Sequence, residues 1–405
     1  LLPMIPMSDI ISQYASDSII LVLSGMIITA SWESTGLNKR IATAFLNLVG
    51  TSVRAQVMFW FLLSTALSAI LPNLVVAATI SPIAMSMLKY VGEGDIANSK
   101  AGSMVVMSVA WGAGLGGMAT PIGSASNLVV IEYLEQVSGR EYMYVDWVIR
   151  FAPIMLTLLV TCTLYVFAIS PKNMQLAGSR EYLASVRAGM GRMTRDEGLC
   201  FLVFLTAIIL AFTRSLYAEL LPGLAPAYAF AACAIILFLI PGKSSRRIVN
   251  WKTVERGVDW GLLYMFGGAL SLGKLLTGTG ADVAIGTLIG GAGISGTAGL
   301  VFVIVTFTLV MSDLTSNGAT ASMCLPITMS IASALGTNAT PLLYITAIGI
   351  NLSFTMPTSI RAIPVGYGLK PSFLAKRGIV LSAIIIAEMT LLGWALIKFW
   401  PAFSM

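Results

Sequence analysis

The sequence predicts an all-α polytopic membrane protein: two inverted-topology repeats, each with a re-entrant helical hairpin and a discontinuous transmembrane helix. Three observations carry this. Of 405 residues, 57% are hydrophobic and only 10% charged, where a soluble domain carries about 25% charged residues to keep its surface wet. Apolar stretches of roughly 20 residues, the length that spans a hydrocarbon core, recur along the chain. Finally, two further apolar blocks are broken by Gly, Pro, Asn, Ser and Thr, and these blocks match each other in spacing.

Full-length spans are expected at 18–34, 146–170, 197–213, 225–241, 258–275 and 378–400. The broken blocks cover 55–134 and 296–370. Irregular backbone is tolerated at membrane depth only where it is buried in protein or lines a wet cavity, so the broken blocks are where a site is expected. Ser68 lies five residues before Asn73 and fourteen before Pro82; Ser312 stands in the same relation to Asn317 and Pro326. A helix with Ser24-Gly25 and then Thr35-Gly36 precedes the first block, and one with Phe266-Gly267-Gly268 and then Thr277-Gly278 precedes the second. The first repeat is therefore set at 1–195, with hairpin 55–90, broken helix 101–135 and spanning helix 146–170. The second is set at 196–405, with spanning helices within 197–275, hairpin 296–335, broken helix 341–375 and last helix 378–400.

Lysine and arginine orient the threading, because cytoplasmic loops collect them. Lys39, Arg40, Arg54, Lys89 and Lys100 flank the first block, whereas 275–360 contains no Lys or Arg. The first hairpin is thus expected to enter from the cytoplasm and the second from outside, with tips near Pro72-Asn73 and Ser316-Asn317. The loops bearing Lys172, Arg180, Arg187, Arg192 and Arg195, then Lys243, Arg246, Arg247, Lys252 and Arg256, then Lys370, Lys376 and Arg377 fall on the cytoplasmic side. Arg214, at an external helix end, is expected to stay hydrated.

Composition excludes several chemistries. The chain has no histidine, and Cys162, Cys200, Cys233 and Cys324 lie in or beside apolar stretches without the paired spacing of metal sites or disulfide frameworks. With no His-Glu-x-x-His motif, no enzyme activity is expected. The net charge of +6 forms no basic face of the kind nucleic acid requires. Residues 1–7 have neither the charged start nor the cleavage site of a signal peptide, and further helices are expected upstream. The glycines of 112–123 are in the wrong order for a nucleotide loop and follow no strand; close packing accounts for them. The 21 methionines are read as packing or lipid-facing, and Asn338-Ala339-Thr340 matches a glycosylation triplet that also arises by chance.

Inverted repeats with helices broken at mid-membrane are the architecture of secondary transporters, whose substrate sits between the repeats. Helix N-termini offer partial positive charge and free N–H groups to an anion, and unwound carbonyls can hold a small cation. Asn73, Ser124, Ser126, Asn127, Ser316, Asn317 and Thr358 supply short polar side chains of the right kind, although such residues also cap helices without binding anything. Arg361 is the sharpest candidate. Near the bilayer centre an arginine costs about 2.5 to 3.5 kcal/mol even on insertion scales, so it needs a partner or a wet cavity. A carboxylate- or sulfate-like substrate is one such partner; snorkelling to the cytoplasmic face is the alternative. Asp313 and Glu388 are also placed deep, Asp313 as a cation or proton ligand or a pairing group within the hairpin, and Glu388 as a packing group.

These residues carry a resemblance. Gly116-Gly117-Met118-Ala119-Thr120-Pro121-Ile122-Gly123-Ser124-Ala125-Ser126-Asn127 and Leu314-Thr315-Ser316-Asn317-Gly318-Ala319-Thr320 resemble the loop and tip motifs of the divalent anion/sodium symporter family, and the resemblance runs from about Ile19 to Trp400. It implies a carrier of di- or tricarboxylates, or sulfate, that works as a homodimer in elevator fashion in the inner (plasma) membrane, coupled to Na+. It also implies one Na+ site at Ser68, Asn73 and Gly123 and a second at Ser312, Asn317 and the backbone around Pro357 and Thr358. By the resemblance substrate would touch Asn73, Ser124, Asn317, Gly318 and Thr358, and the reading of the residues themselves adds Asn127, Ser316 and Arg361 to the expected substrate contacts. The chain departs from the family at both tips, with Pro72-Asn73-Leu74 and Ser316-Asn317-Gly318 in place of Ser-Asn-Thr, and Arg361 falls where the family has asparagine. A guanidinium there repels Na+ and can replace it as counter-charge. Two coupling modes therefore stay open, Na+ symport with fewer ions and Na+-independent anion exchange, with an anion channel as the rival class.

Overall fold

In the computed structural model, residues 6–45, 50–242, 247–279 and 296–404 are described, so Lys243 and Arg246 of the basic loop lie outside the described residues. Those described form helices and connecting turns with no strand. Asp17–Thr35 ends at Gly36, whose left-handed φ of 83° stops the helix at a position that only glycine adopts freely. The first hairpin follows as Val53–Ser68 and Asn73–Tyr90. The next helix, Lys100–Gly116, is interrupted over 117–124 and resumes as Ala125–Ser138. The long Tyr144–Ile169 comes after it.

Arg195–Phe212 and Pro226–Leu239 stand between the halves. The element order then repeats: Trp260–Thr279, a hairpin of Gly296–Leu314 and Asn317–Ala334, the interrupted Ala339–Asn351, and the long Pro371–Phe399. Within the broken helix expected at 101–135, the glycine-rich stretch from Gly112 to Gly116 stays helical, so the interruption is confined to 117–124. The last helix begins at Pro371 rather than 378, since proline fits the first helical turn.

Side-chain caps explain where the short arms start. Ser52 Oγ accepts from Ala55 N at 3.2 Å and Ser99 Oγ from Gly102 N at 2.7 Å, each satisfying an end amide that the helix leaves free. Thr194 and Glu197 form a reciprocal capping box.

Among the described residues, five helical stretches are long and apolar enough to cross a membrane by length and composition: Met7–Thr35, Asn73–Tyr90, Tyr144–Ile169, Gly296–Leu314 and Pro371–Phe399. Tyr144–Ile169 and Pro371–Phe399 expose Leu156, Val160, Leu164, Ile379 and Leu391, the outward apolar face that a lipid-contacting helix carries. Glu388, on Pro371–Phe399, is half-buried, its Oε1 accepting from Thr161 Oγ1 of Tyr144–Ile169 at 2.8 Å and its Oε2 buried without a partner.

Small residues let backbones meet. A Cβ on Gly112 would lie 2.2 Å from the Phe61 carbonyl oxygen, and one on Gly116 2.1 Å from that of Thr65. The four-residue spacing puts both glycines on one helix face against the first hairpin arm, the close approach that small residues permit in membranes.

Candidate functional site

The first hairpin turns over 69–72 and the second over 315–316, so both tips fall where the repeat spacing puts them. Each tip docks on its own broken helix. At the first, Asn73 N donates to Gly123 O at 2.9 Å and Thr120 Oγ1 donates to Ala69 O at 2.7 Å. Asn127, fully buried, laces the interruption itself, its Nδ2 donating to Gly117 O and to Thr120 O, both at 2.8 Å. Trp147 Nε1 donates to Met118 O at 3.0 Å. Among the described residues no charged side chain bonds to this segment.

Two carbonyls crowd Gly123: a Cβ there would lie 2.6 Å from Gly117 O and 2.7 Å from Ser68 O. Ser68 is fully buried and its Oγ has no hydrogen-bond partner, an anomaly for a buried hydroxyl. Ser68, Asn73 and Gly123 thus come together with uncharged oxygens around them. Asn73 is half-buried at the helix start, and its Oδ1 accepts from Leu74 N at 2.8 Å. Ser124 and Ser126, both buried, hydrogen-bond to each other at 2.8 Å at the N-terminus of Ala125–Ser138.

The second break is built on charge. Asp313 Oδ1 accepts from the backbone N–H of Phe354 and Thr355, each at 2.9 Å, and of Met356 at 3.4 Å. Arg361 is 1% exposed. Its Nε donates to Met356 O (2.9 Å), Nη1 to Ser353 O (3.1 Å), and Nη2 to Ser312 O (3.2 Å) and Thr358 Oγ1 (2.8 Å). Carboxylate and guanidinium thereby take up the N–H and C=O groups that unwinding sets free, as membrane-depth backbone demands. The snorkelling alternative for Arg361 is excluded by this burial. Arg361 meets protein oxygens, where the sequence reading paired it with substrate. Ser359, with φ of 50°, makes the tight turn that brings the arginine back over the break.

Ser312 Oγ donates to Ile350 O at 2.7 Å, and Thr358 Oγ1 donates to Asp313 O at 3.0 Å. Pro357 is half-buried in the loop, and two of the three carbonyls that converge on the guanidinium belong to its neighbours Ser353 and Met356. Ser316 caps the second hairpin arm, its Oγ accepting from Ala319 N at 3.2 Å. Asn317 is buried with its Oδ1 unpartnered. A Cβ on Gly318 would lie 2.7 Å from both Leu262 Cδ1 and Met265 Cε; the residue is seated against the apolar side chains of Trp260–Thr279, which accounts for the missing threonine.

The two broken helices join directly. Asn351 Nδ2 donates to Asn127 Oδ1 at 2.7 Å, leaving the buried Asn351 Oδ1 unpartnered, and Trp111 Nε1 donates to Phe354 O at 3.2 Å. Sequence reasoning missed Asn351. The available signal was an amide closing the apolar run 341–350, next to a break. It also misjudged Arg214, which is 3% exposed and donates to Glu141 Oε1 and Oε2 at 2.7 and 3.0 Å. A cleft of about 580 Å³ beside the first hairpin is lined by Leu74, Thr79 and Pro82 of that hairpin and by Glu33, Lys39 and Arg256.

Among the described residues no group of three or more His, Cys, Asp or Glu side chains could hold a metal. Apolar spanning helices around two hairpin tips and two linked breaks define a membrane transporter rather than an enzyme. The citrate transporter family model matches residues 1–349. The chain belongs to that family, among the divalent anion/sodium symporters. It is 28% identical over 383 residues to the sodium-dependent dicarboxylate transporter SdcS of Staphylococcus saprophyticus, covering 89% of this chain and 72% of that protein. It is also 28% identical over 376 residues to SdcS of Staphylococcus aureus strain NCTC 8325, with 88% and 72% covered. The crystal structure of the Alcanivorax borkumensis YdaH transporter, reported to have an unusual topology, shares the fold at a TM-score of 0.59, with 14% identity over 97% of this chain and 88% of that one.

Proposed function

We propose that the chain is a Na+-coupled carrier of small organic dianions, dicarboxylates foremost, that loads Na+ at the first break. The observation that carries the reading is the buried, unpartnered Ser68 Oγ beside the crowded carbonyls of Ser68 and Gly117: uncharged oxygens on unwound backbone are what a desolvated alkali cation needs. The anion is taken between the tips, at the helix N-termini that begin with Asn73, Ala125 and Asn317, where the Ser124 hydroxyl and the Nδ2 amide of Asn317 are the groups that donate to it. The name of the SdcS relatives, sodium-dependent dicarboxylate transporters, supports both ligands. In this reading the halves are inverted repeats, the first hairpin faces the cytoplasm, and a homodimer carries its site across the inner membrane in elevator fashion. Lys39 and Arg256 draw the anion into the cleft beside the first hairpin.

Uptake of labelled succinate, citrate and sulfate into proteoliposomes, with and without a Na+ gradient, tests this. Saturable, Na+-dependent succinate uptake with counterflow is expected; large uncoupled currents would make the protein a channel, and no flux of any anion would end the proposal. Ser68→Ala is expected to raise the Na+ concentration for half-maximal uptake about tenfold, the worth of one hydrogen-bond-sized contact to a charged group. Ser124→Ala is expected to raise the half-saturating succinate concentration instead. Equal shifts in both variants would separate Ser68 from the cation.

A further inference from the structure

The two breaks are satisfied by different means. At the first, neutral side chains do the lacing; a buried hydroxyl is left over at each, Ser68 Oγ at the first and Ser353 Oγ at the second. At the second, three main-chain carbonyls and one hydroxyl converge on the guanidinium of Arg361. These acceptors are also uncharged oxygens on unwound backbone, the set that elsewhere coordinates a small cation. The negative group beside them is Asp313, which bonds the same loop. An ion entering this cage would have to displace four charge-assisted hydrogen bonds and approach a fixed positive charge in a medium of low dielectric.

We propose that Arg361 is a tethered counter-ion that permanently fills the cation position of the second break, so that each transport cycle loads one Na+, at the first break only. This rests on the Na+-coupled reading above. Its electrical consequence is definite. Arg361 travels with the protein in both directions and cancels over a cycle, so a dianion with one Na+ carries one net negative charge inward. An inside-negative potential then opposes net uptake, while exchange of one dianion for another is electroneutral and unopposed. With the cage emptied and a second Na+ admitted, net uptake becomes electroneutral.

The test is labelled succinate flux in proteoliposomes of the whole chain, at a pH where succinate is fully ionised, against external Na+ and K+/valinomycin potentials. For the unmodified protein, uptake is expected to rise with Na+ at a Hill coefficient of about 1, to slow under an inside-negative potential, and to run faster as exchange than as net uptake. Arg361→Ala is expected to raise the Hill coefficient to about 2 and remove the potential dependence, and Arg361→Lys to keep the original order. A Hill coefficient of about 2 or more in the unmodified protein, or uptake accelerated by inside-negative potential, overturns the proposal without needing any variant. A folded, substrate-binding Arg361→Ala that stays first order in Na+ also overturns it, leaving Arg361 a staple of the break. Succinate exchange with no Na+ dependence at all defeats the Na+-coupled reading itself, a result distinct from either.

Discussion

Asp313→Ala is expected to be among the most destabilising polar substitutions in the chain. The side chain is buried, and one oxygen accepts two backbone N–H groups at 2.9 Å with a third at 3.4 Å. Those donors sit in the unwound stretch after Asn351, where no helical carbonyl is available to replace the carboxylate. A buried N–H left without an acceptor costs about 1 to 3 kcal/mol, and removing the negative group also leaves Arg361 buried without a counter-charge. The combined loss is expected to be about 3 to 5 kcal/mol in denaturation of the purified protein in detergent. Asp313→Asn keeps an acceptor oxygen and discards only the charge, so it is expected to cost about half as much. Equal losses in the two variants would make charge the larger part. A loss below about 1 kcal/mol for Asp313→Ala would mean the break is held by something else.

That role for Asp313 was only half legible in the sequence, and the reason is general. A carboxylate next to Ser312 at a hairpin tip announces a polar junction, but its partners are main-chain amides forty residues on, and every residue has one. Arg361 is the same case: its burial is readable from the apolar stretch around it, whereas its four acceptors are carbonyls and a hydroxyl that no residue type marks. The hairpin tips were legible for the opposite reason. Ser68 and Asn73, and Ser312 and Asn317, are side-chain identities at a repeated spacing, and the turns fall between them. Asn351 escaped because its meaning lies in its contact with Asn127 across the molecule. Arg214 escaped because the loop carboxylate of Glu141 folds over it, a tertiary event that distance along the chain does not encode.

Gly112 and Gly116 remain helical although glycine costs about 1 kcal/mol relative to alanine in a helix, and the second large expected effect follows from what they gain in return. Gly116→Ala is expected to disrupt the first hairpin, because the added Cβ itself meets Thr65 O at 2.1 Å and the Thr65 carbonyl carbon at 2.8 Å. No rotamer relieves a clash with backbone, so Gly116→Val is expected to fail in the same way. Overpacked side chains typically cost about 1 to 3 kcal/mol; here a helix and a hairpin arm must separate, and a loss above about 3 kcal/mol is expected. The separation also carries Ser68 O away from Gly123, so any Gly116→Ala protein recovered folded is expected to need several-fold more Na+ for half-maximal uptake, with succinate affinity measured at saturating Na+ little changed. Gly25→Ala is the control: a Cβ there meets nothing within 4 Å, and the gain in helix propensity makes it neutral or stabilising by up to about 1 kcal/mol. If Gly116→Ala melts with the unmodified protein and keeps its Na+ dependence, the hairpin arm and the broken helix are further apart than these contacts place them, and the carbonyl cage at the first break goes with them.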